Sequence, residues 1–166
     1  GQDAYVTGEL GLFYHSSDQG LNWSIFETGY TGSLWSSLLI SKNELILIGM
    51  SGNIITASPI DSNKFEFKNY FNGVKNTLTS AINLSNGKVA ISGLGGVVSV
   101  LDFYGSKDII TCVRQDRLGN NAIVEGENDN LLIIGQNGLR THSMQECYAG
   151  SMENFSTNTW ISSKLN

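Results

Sequence analysis

The sequence predicts an all-β protein: a β-propeller of four-stranded antiparallel blades, about four of them present, the first lacking its innermost strand. Three observations carry this. Of 166 residues, 40% are hydrophobic and only 15% charged, with nineteen Gly and a single Pro, against roughly a quarter charged in an ordinary soluble domain. That composition suits short strands joined by tight glycine reversals, and it excludes a disordered or proline-rich chain. An apolar run ending in G-x-x-G and followed by a second apolar run recurs four times, its first glycines at Gly8, Gly49, Gly93 and Gly135. Spacings in the low forties fit one four-stranded blade per repeat. Turn-rich breaks then separate each later pair of glycines from a further strand upstream.

The G-x-x-G core reads as a hairpin turn, because glycine takes positive φ without a Cβ clash and so reverses the chain between two strands. In the first unit, about residues 1–31, this places strands before Gly8 and after Gly11, with an outer strand over Trp23–Thr28. The second unit, 32–75, opens with a strand over Leu34–Ile40. The break Ser41-Lys42-Asn43, the Leu45–Met50 run and an outer strand over Phe65–Phe71 complete it. In the third, 76–118, the corresponding pieces are Leu78–Leu84, the turn Ser85-Asn86-Gly87, the glycines from Gly93 to Gly96 and Ile109–Gln115. The fourth, 119–166, runs from Asn121–Gly126 through Glu127-Asn128-Asp129-Asn130 to Gly135–Gly138, with Thr159–Ser163 as its outer strand. We read the four units as one domain. Lys164-Leu165-Asn166 is too short to supply the missing strand, so the ring does not close on itself. The sequence is then either a fragment or a protein whose open edge pairs with another copy.

Charge and motifs limit the chemistry. Ten Lys and Arg against fifteen Asp and Glu give a net charge of -5, the wrong sign for a surface that tracks phosphates, so nucleic acid is excluded as a partner. No apolar run approaches the roughly 18 residues of a membrane helix. Cys112 and Cys147 lack a zinc-ligand spacing and are expected as two free buried thiols. Gly49-Met50-Ser51-Gly52-Asn53 lacks the last glycine of a nucleophile elbow. His15 and His142 occupy the same repeat position and read as strand-end residues in different blades, not as a metal pair. Glu125, Glu127 and Asp129 have the alternate spacing of a calcium loop, but Asn130 and Gln136 stand where its Gly and Glu belong. We expect no catalytic residues, no metal and no cofactor.

What remains is surface. The G-x-x-G turns and the connections between blades emerge on one rim, which gathers Tyr30, Lys75, Asn76, Arg117 and Asn120, with Met50 and Gln136. An aromatic with Arg, Lys and Asn on an acidic protein suits a protein-contact patch. The segment Met144–Asn158, with Tyr148, Met152 and Phe155, is a second candidate binding element. Trp35 lies within a strand and reads as core.

Residues Ser16-Ser17-Asp18-Gln19-Gly20-Leu21-Asn22-Trp23 spell S-x-D-x-G-x-x-W. In this pattern Ser16 and Asp18 cap a turn, Gly20 supplies a left-handed residue and Trp23 opens the outer strand with its ring packed inward. Following a G-x-x-G hairpin, the motif resembles the Asp-box (BNR repeat) of the photosystem II stability/assembly factor-like family of β-propellers. It decays in the later units: Ser58-Pro59-Ile60-Asp61 leads to Phe65, and Leu101-Asp102-Phe103-Tyr104-Gly105 keeps little of it. A motif that drifts this way serves a turn and not a reaction. The resemblance implies a non-enzymatic scaffold that holds a partner protein, in a periplasmic or other extracytoplasmic setting. It also implies an alternative, since Asp-boxes occur in sialidases and other carbohydrate-active propellers. A sialidase-like site needs converging arginines, and Arg114, Arg117 and Arg140 are not expected to converge.

Overall fold

The computed structural model describes residues 2–61, 64–105 and 108–145. These residues form four antiparallel sheets, each of strands consecutive in sequence. The first holds β1 (Ala4–Thr7), β2 (Leu12–Ser16) and β3 (Ser24–Glu27). The second holds β4 (Leu34–Ser41), β5 (Glu44–Gly49), β6 (Asn53–Asp61) and β7 (Lys64–Phe71). The third holds β8 (Leu78–Asn83), β9 (Val89–Gly93), β10 (Val97–Leu101) and β11 (Ile109–Val113). The fourth holds β12 (Asn120–Glu125), β13 (Asn130–Gly135) and β14 (Gly138–Ser143). The outer strand expected at Thr159–Ser163 lies outside the described residues, as does the segment beyond Gln145.

Strand β1 lies against β4, β4 against β8, and β8 against β12, so the first strands of the sheets line one inner side. This is the blade order of a partial propeller. The two middle blades are covered on both faces, which is why β5 reads as an apolar run and β10 is apolar but for the buried Ser99. Leu45, Ile46, Leu47 and Ile48 are all buried, as are Val97, Val98, Val100 and Leu101. Three separate cores result, one per blade boundary. Phe13 of the first blade packs with Leu47, Ile55 and Phe65 of the second. Ile46 and Ile54 pack with Val89, Ile91 and Val97, and Val98 and Val100 with Ile123, Leu131 and Ile133.

Each G-x-x-G lies at a reversal, and sterics explain the glycines at two of its positions. Gly52 sits at φ +72, and a Cβ there would collide with the Val74 carbonyl oxygen. Gly49 has extended backbone, φ −164, which any residue adopts. Its Cβ, however, would be driven into the Ser33 carbonyl, because the connection between blades crosses directly over it.

Two sequence expectations fail here. Cys112 is disulfide-bonded and no free cysteine remains among the described residues, so Cys112 is not the free thiol expected; Cys147 lies outside the described residues. Trp35 is not core: it is 62% exposed. The register runs from Leu34↔Gly49 to Ser36↔Ile48, leaving Trp35 as the extra residue of a β-bulge, and a bulge turns one side chain out of the alternation.

Candidate functional site

The turn rim is assembled by main-chain hydrogen bonds between each reversal and a connection between blades. Leu34 N–H donates to the Gly8 carbonyl at 2.9 Å, Met50 N–H to Ser33 at 3.0 Å, Leu94 N–H to Thr77 at 2.8 Å and Gln136 N–H to Gly119 at 3.0 Å. Tyr30 adds a side-chain tie, its hydroxyl donating to the Met50 carbonyl at 2.8 Å. With the backbone so fixed, large apolar side chains stand outward along it: Leu10, which is 72% exposed, then Trp35, Met50 and Leu94. They come from three blades and face solvent on a surface whose neighbours Lys75, Asn76, Arg117 and Gln136 are exposed and polar. Apolar anchors ringed by polar groups are the usual anatomy of a protein-binding surface.

The residues predicted for this rim divide. Tyr30, Lys75, Asn76 and Arg117 reach the surface, although the Tyr30 hydroxyl is engaged with Met50. Asn120 is fully buried; its Nδ2 donates to the Val97 carbonyl at 3.0 Å and its own carbonyl accepts from Thr79 Oγ1 at 2.6 Å. It heads β12 opposite Gly135, where the earlier blades carry the buried Leu34 opposite Gly49 and Leu78 opposite Gly93. Sequence reasoning missed Leu10, Trp35 and Leu94 as exposed groups. The repeat alignment did hold a signal for Leu10 and Leu94, since both are large apolar residues inside the turn itself.

At the end of the rim a cleft of about 270 Å³ is lined by Arg114, Gln115, Asp116, Thr141 and His142. Arg114 Nη2 and Arg140 Nη1 each donate to Asp116 Oδ2 at 2.7 Å, and Arg140 also donates to the Gln136 carbonyl. Two of the three arginines therefore meet, but on a carboxylate of the protein. The Arg114 hydrogen bond, helped by the Leu118 N–H and the charge of both guanidinium groups, holds Asp116 well below the usual carboxylate range. His142 is buried and sits 3.6 Å from Cys112 Sγ. With their charge already balanced in part by Asp116, these arginines do not form an open clamp for a substrate carboxylate.

The S-x-D-x-G-x-x-W turn lies at the far end of β2 from this rim. Asp18 accepts from the Asn22 backbone N–H at 2.8 Å, the Asn22 side chain at 2.7 Å and the Ser16 hydroxyl at 2.8 Å, and Ser16 Oγ accepts from Gly20 N–H at 2.8 Å. These donors lower the Asp18 pKa to about 2. Trp23 is 42% exposed. Its indole N–H donates to the Gly20 carbonyl at 3.0 Å, so the ring lies across the turn and not inward. His15 stacks on Tyr5 with ring centroids 4.9 Å apart and pairs with Asp3 at 2.8 Å. No group of three His, Cys, Asp or Glu suited to a metal ion occurs among the described residues, and no helix among them is long and apolar enough to cross a membrane.

No protein family model and no characterised protein matches this sequence. Its fold does match solved propellers. The WD40 β-propeller domain of Doa1 superposes with a TM-score of 0.63 at 13% identity, covering 84% of this chain and 46% of that one. The Cps50 (Swd1) β-propeller domain of Myceliophteria thermophila gives 0.63 at 11%, covering 85% and 48%. YCF48 bound to D1 peptide gives 0.54 at 15%, covering 86% and 60%. The chain spans about half the length of the two WD40-type domains, and the likeness is one of fold: all-β, a partial propeller.

Proposed function

We propose that this chain is a non-enzymatic scaffold that binds a protein partner across its turn rim. One observation carries the reading: Leu10, Trp35, Met50 and Leu94, from three blades, stand exposed along a rim whose turns are hydrogen-bonded to the connections between blades. A rigid row of apolar anchors loses little conformational entropy on binding and desolvates readily. Tyr30, Lys75, Asn76 and Arg117 supply the polar surround. A fold neighbour, YCF48, carries a bound peptide, which supports the same use of this architecture. Together with the Asp18 turn it also supports membership of the photosystem II assembly factor-like Asp-box propellers.

The test is a selection of displayed peptides against the chain, followed by titration of the binders. Trp35→Ala and Leu94→Ala should each weaken them at least tenfold while the melting temperature stays unchanged. Binders indifferent to both substitutions would refute the reading. One observation favours a second reading: the exposed ring of Trp35 offers a stacking surface for a sugar. Glycan-array binding lost in Trp35→Ala, with no peptide binders found, would establish a carbohydrate-binding propeller, and turnover of aryl glycosides would establish an enzyme.

A further inference from the structure

Asn-Gly pairs occur three times in the sequence, at Asn72-Gly73, Asn86-Gly87 and Asn137-Gly138. Asparagine is a thermolabile side chain, and a following glycine exposes its weakness, because no Cβ shields the main-chain nitrogen from the side-chain amide before it. On the glycine side the three pairs are alike. Gly73, Gly87 and Gly138 stand at φ +86, +81 and +82, and a Cβ at any of them would meet nothing within 4 Å.

The asparagines differ. Asn72 is 5% exposed and both ends of its amide are held: Nδ2 donates to Ser99 Oγ at 3.3 Å and Oδ1 accepts from Val74 N–H at 3.2 Å. Ser99 belongs to β10, so this amide is released only when the second and third blades part. Asn86 is exposed, but its Oδ1 accepts from Lys88 N–H at 3.0 Å, which pins the amide over its own turn. Asn137 is exposed as well, at the tip of the hairpin in which Gly135 pairs with Gly138, and no described residue hydrogen-bonds its side chain. It alone is free to swing its Cγ toward the next nitrogen.

The charge around that turn suits a carboxylate. Arg140 donates to the Gln136 carbonyl, in the peptide that leads into Asn137. Arg114 and Arg140 share the single carboxylate of Asp116, so the cluster has one positive charge over, and a negative charge formed at position 137 arises beside it.

We propose that Asn137 is a site of spontaneous deamidation in the folded protein. The Gly138 main-chain nitrogen bonds to Asn137 Cγ and loses its proton; the bond from Cγ to Nδ2 breaks, and the side-chain nitrogen leaves as ammonia with that proton. Solvent water then opens the cyclic imide at either carbonyl, giving an aspartyl residue or an isoaspartyl residue whose main chain is longer by one methylene. Nothing is oxidised or reduced. A turn of the fourth blade thus gains a negative charge with age, on a chain of net charge -5. The inference does not need the rim to bind anything, so either can fail alone.

The test is to incubate the 166-residue chain at neutral pH and 37 °C for several weeks, folded and in guanidinium chloride, and to follow the exchange of NH2 for OH at each pair by peptide mass spectrometry. Electron-transfer fragmentation separates the aspartyl from the isoaspartyl product. Each folded rate is divided by the rate of the same site in denaturant, which removes differences in local sequence. Asn137 should have the largest ratio and Asn72 the smallest, at least about a hundredfold apart, because a buried amide reacts only through opening of its blade boundary. A ratio at Asn137 no larger than that at Asn86 or Asn72, or no product at Asn137 in the folded chain, would overturn the proposal. Asn137→Asp, the product made directly, should fold and melt within about 2 °C of the native chain. A larger fall would show that the hairpin does not accept the carboxylate and would overturn that part of the argument; the incubation uses the unaltered chain and stands even if this variant fails to fold.

Discussion

Phe65 is the side chain that fastens the first blade to the second, and replacing it by Ala should detach one blade before it unfolds the rest. It comes from β7, is 7% exposed, and meets Phe13 and Phe26 of the first blade edge-on, both at 5.0 Å between centroids and with interplanar angles of 71° and 68°. His15 lies 5.5 Å away. Truncating a buried Phe to Ala costs about 3 to 5 kcal/mol through lost transfer energy and the cavity left behind, and the aromatic pairs place this site toward the upper end. For a chain of this size about 4 kcal/mol corresponds to a fall in melting temperature of roughly 8 to 16 °C. A repeat array adds a spatial signature, because each blade is stabilised only by its neighbours. Hydrogen exchange followed by mass spectrometry should show β1, β2 and β3 losing protection while β8, β9 and β10 keep theirs, and Phe65→Leu should retain about half the loss. A fall of less than about 1 kcal/mol, or uniform loss of protection across all blades, would refute the reasoning.

Other outcomes follow from single sites. Asp18 is held at about 2 against its ordinary 3.8, so its folded-state preference for the charged form adds stability above roughly pH 4 and loses it as pH falls toward 2. The melting-temperature gap between the native chain and Asp18→Asn, followed by circular dichroism, should therefore narrow over that window and stay constant from pH 5 to 7. Gly49→Ala leaves an allowed backbone but pushes a methyl into the Ser33 carbonyl; a loss of about 1 to 3 kcal/mol is expected in urea titration. Cys112 is in a disulfide, so labelling of the unreduced chain with a thiol reagent should find no reactive thiol, and reduction should lower the melting temperature.

Much of the fold was legible because it rests on local sterics repeated four times. A glycine crossed by a carbonyl, or held at positive φ, announces itself wherever it recurs, and the apolar runs of β5 and β10 leave little choice for a segment covered on both sides. The site was less legible because its members are set by pairing. Trp35 leaves the core through a bulge that exists only when β4 is laid against β5. Asn120 is polar by type but occupies the register position of Leu34 and Leu78, so burial there follows from the repeat and not from the residue. Arg114 and Arg140 are 26 positions apart in sequence and belong to different blades. Only their common partner, Asp116, brings them together.

Leu10 shows where the repeat departs from its own rule, and it gives the sharpest separation of stability from binding. It occupies the third place of the first G-x-x-G, at φ 56 and ψ 27. Ser51, Gly95 and Asn137 hold the same place in the other blades, at φ 58, 66 and 68. Gly and Asn enter this left-handed region readily, whereas a branched apolar residue does so at a cost on the order of 1 kcal/mol. Leu10 is also 72% exposed, so no core packing offsets that cost. A strained backbone beneath an exposed apolar side chain destabilises the free chain, and the proposed burial of Leu10 against a partner would offset that cost. Leu10→Asn should therefore raise the melting temperature by roughly 2 to 4 °C while weakening rim binding severalfold. A lowered melting temperature would show that Leu10 stabilises the turn, and unchanged binding would remove it from the rim's anchors.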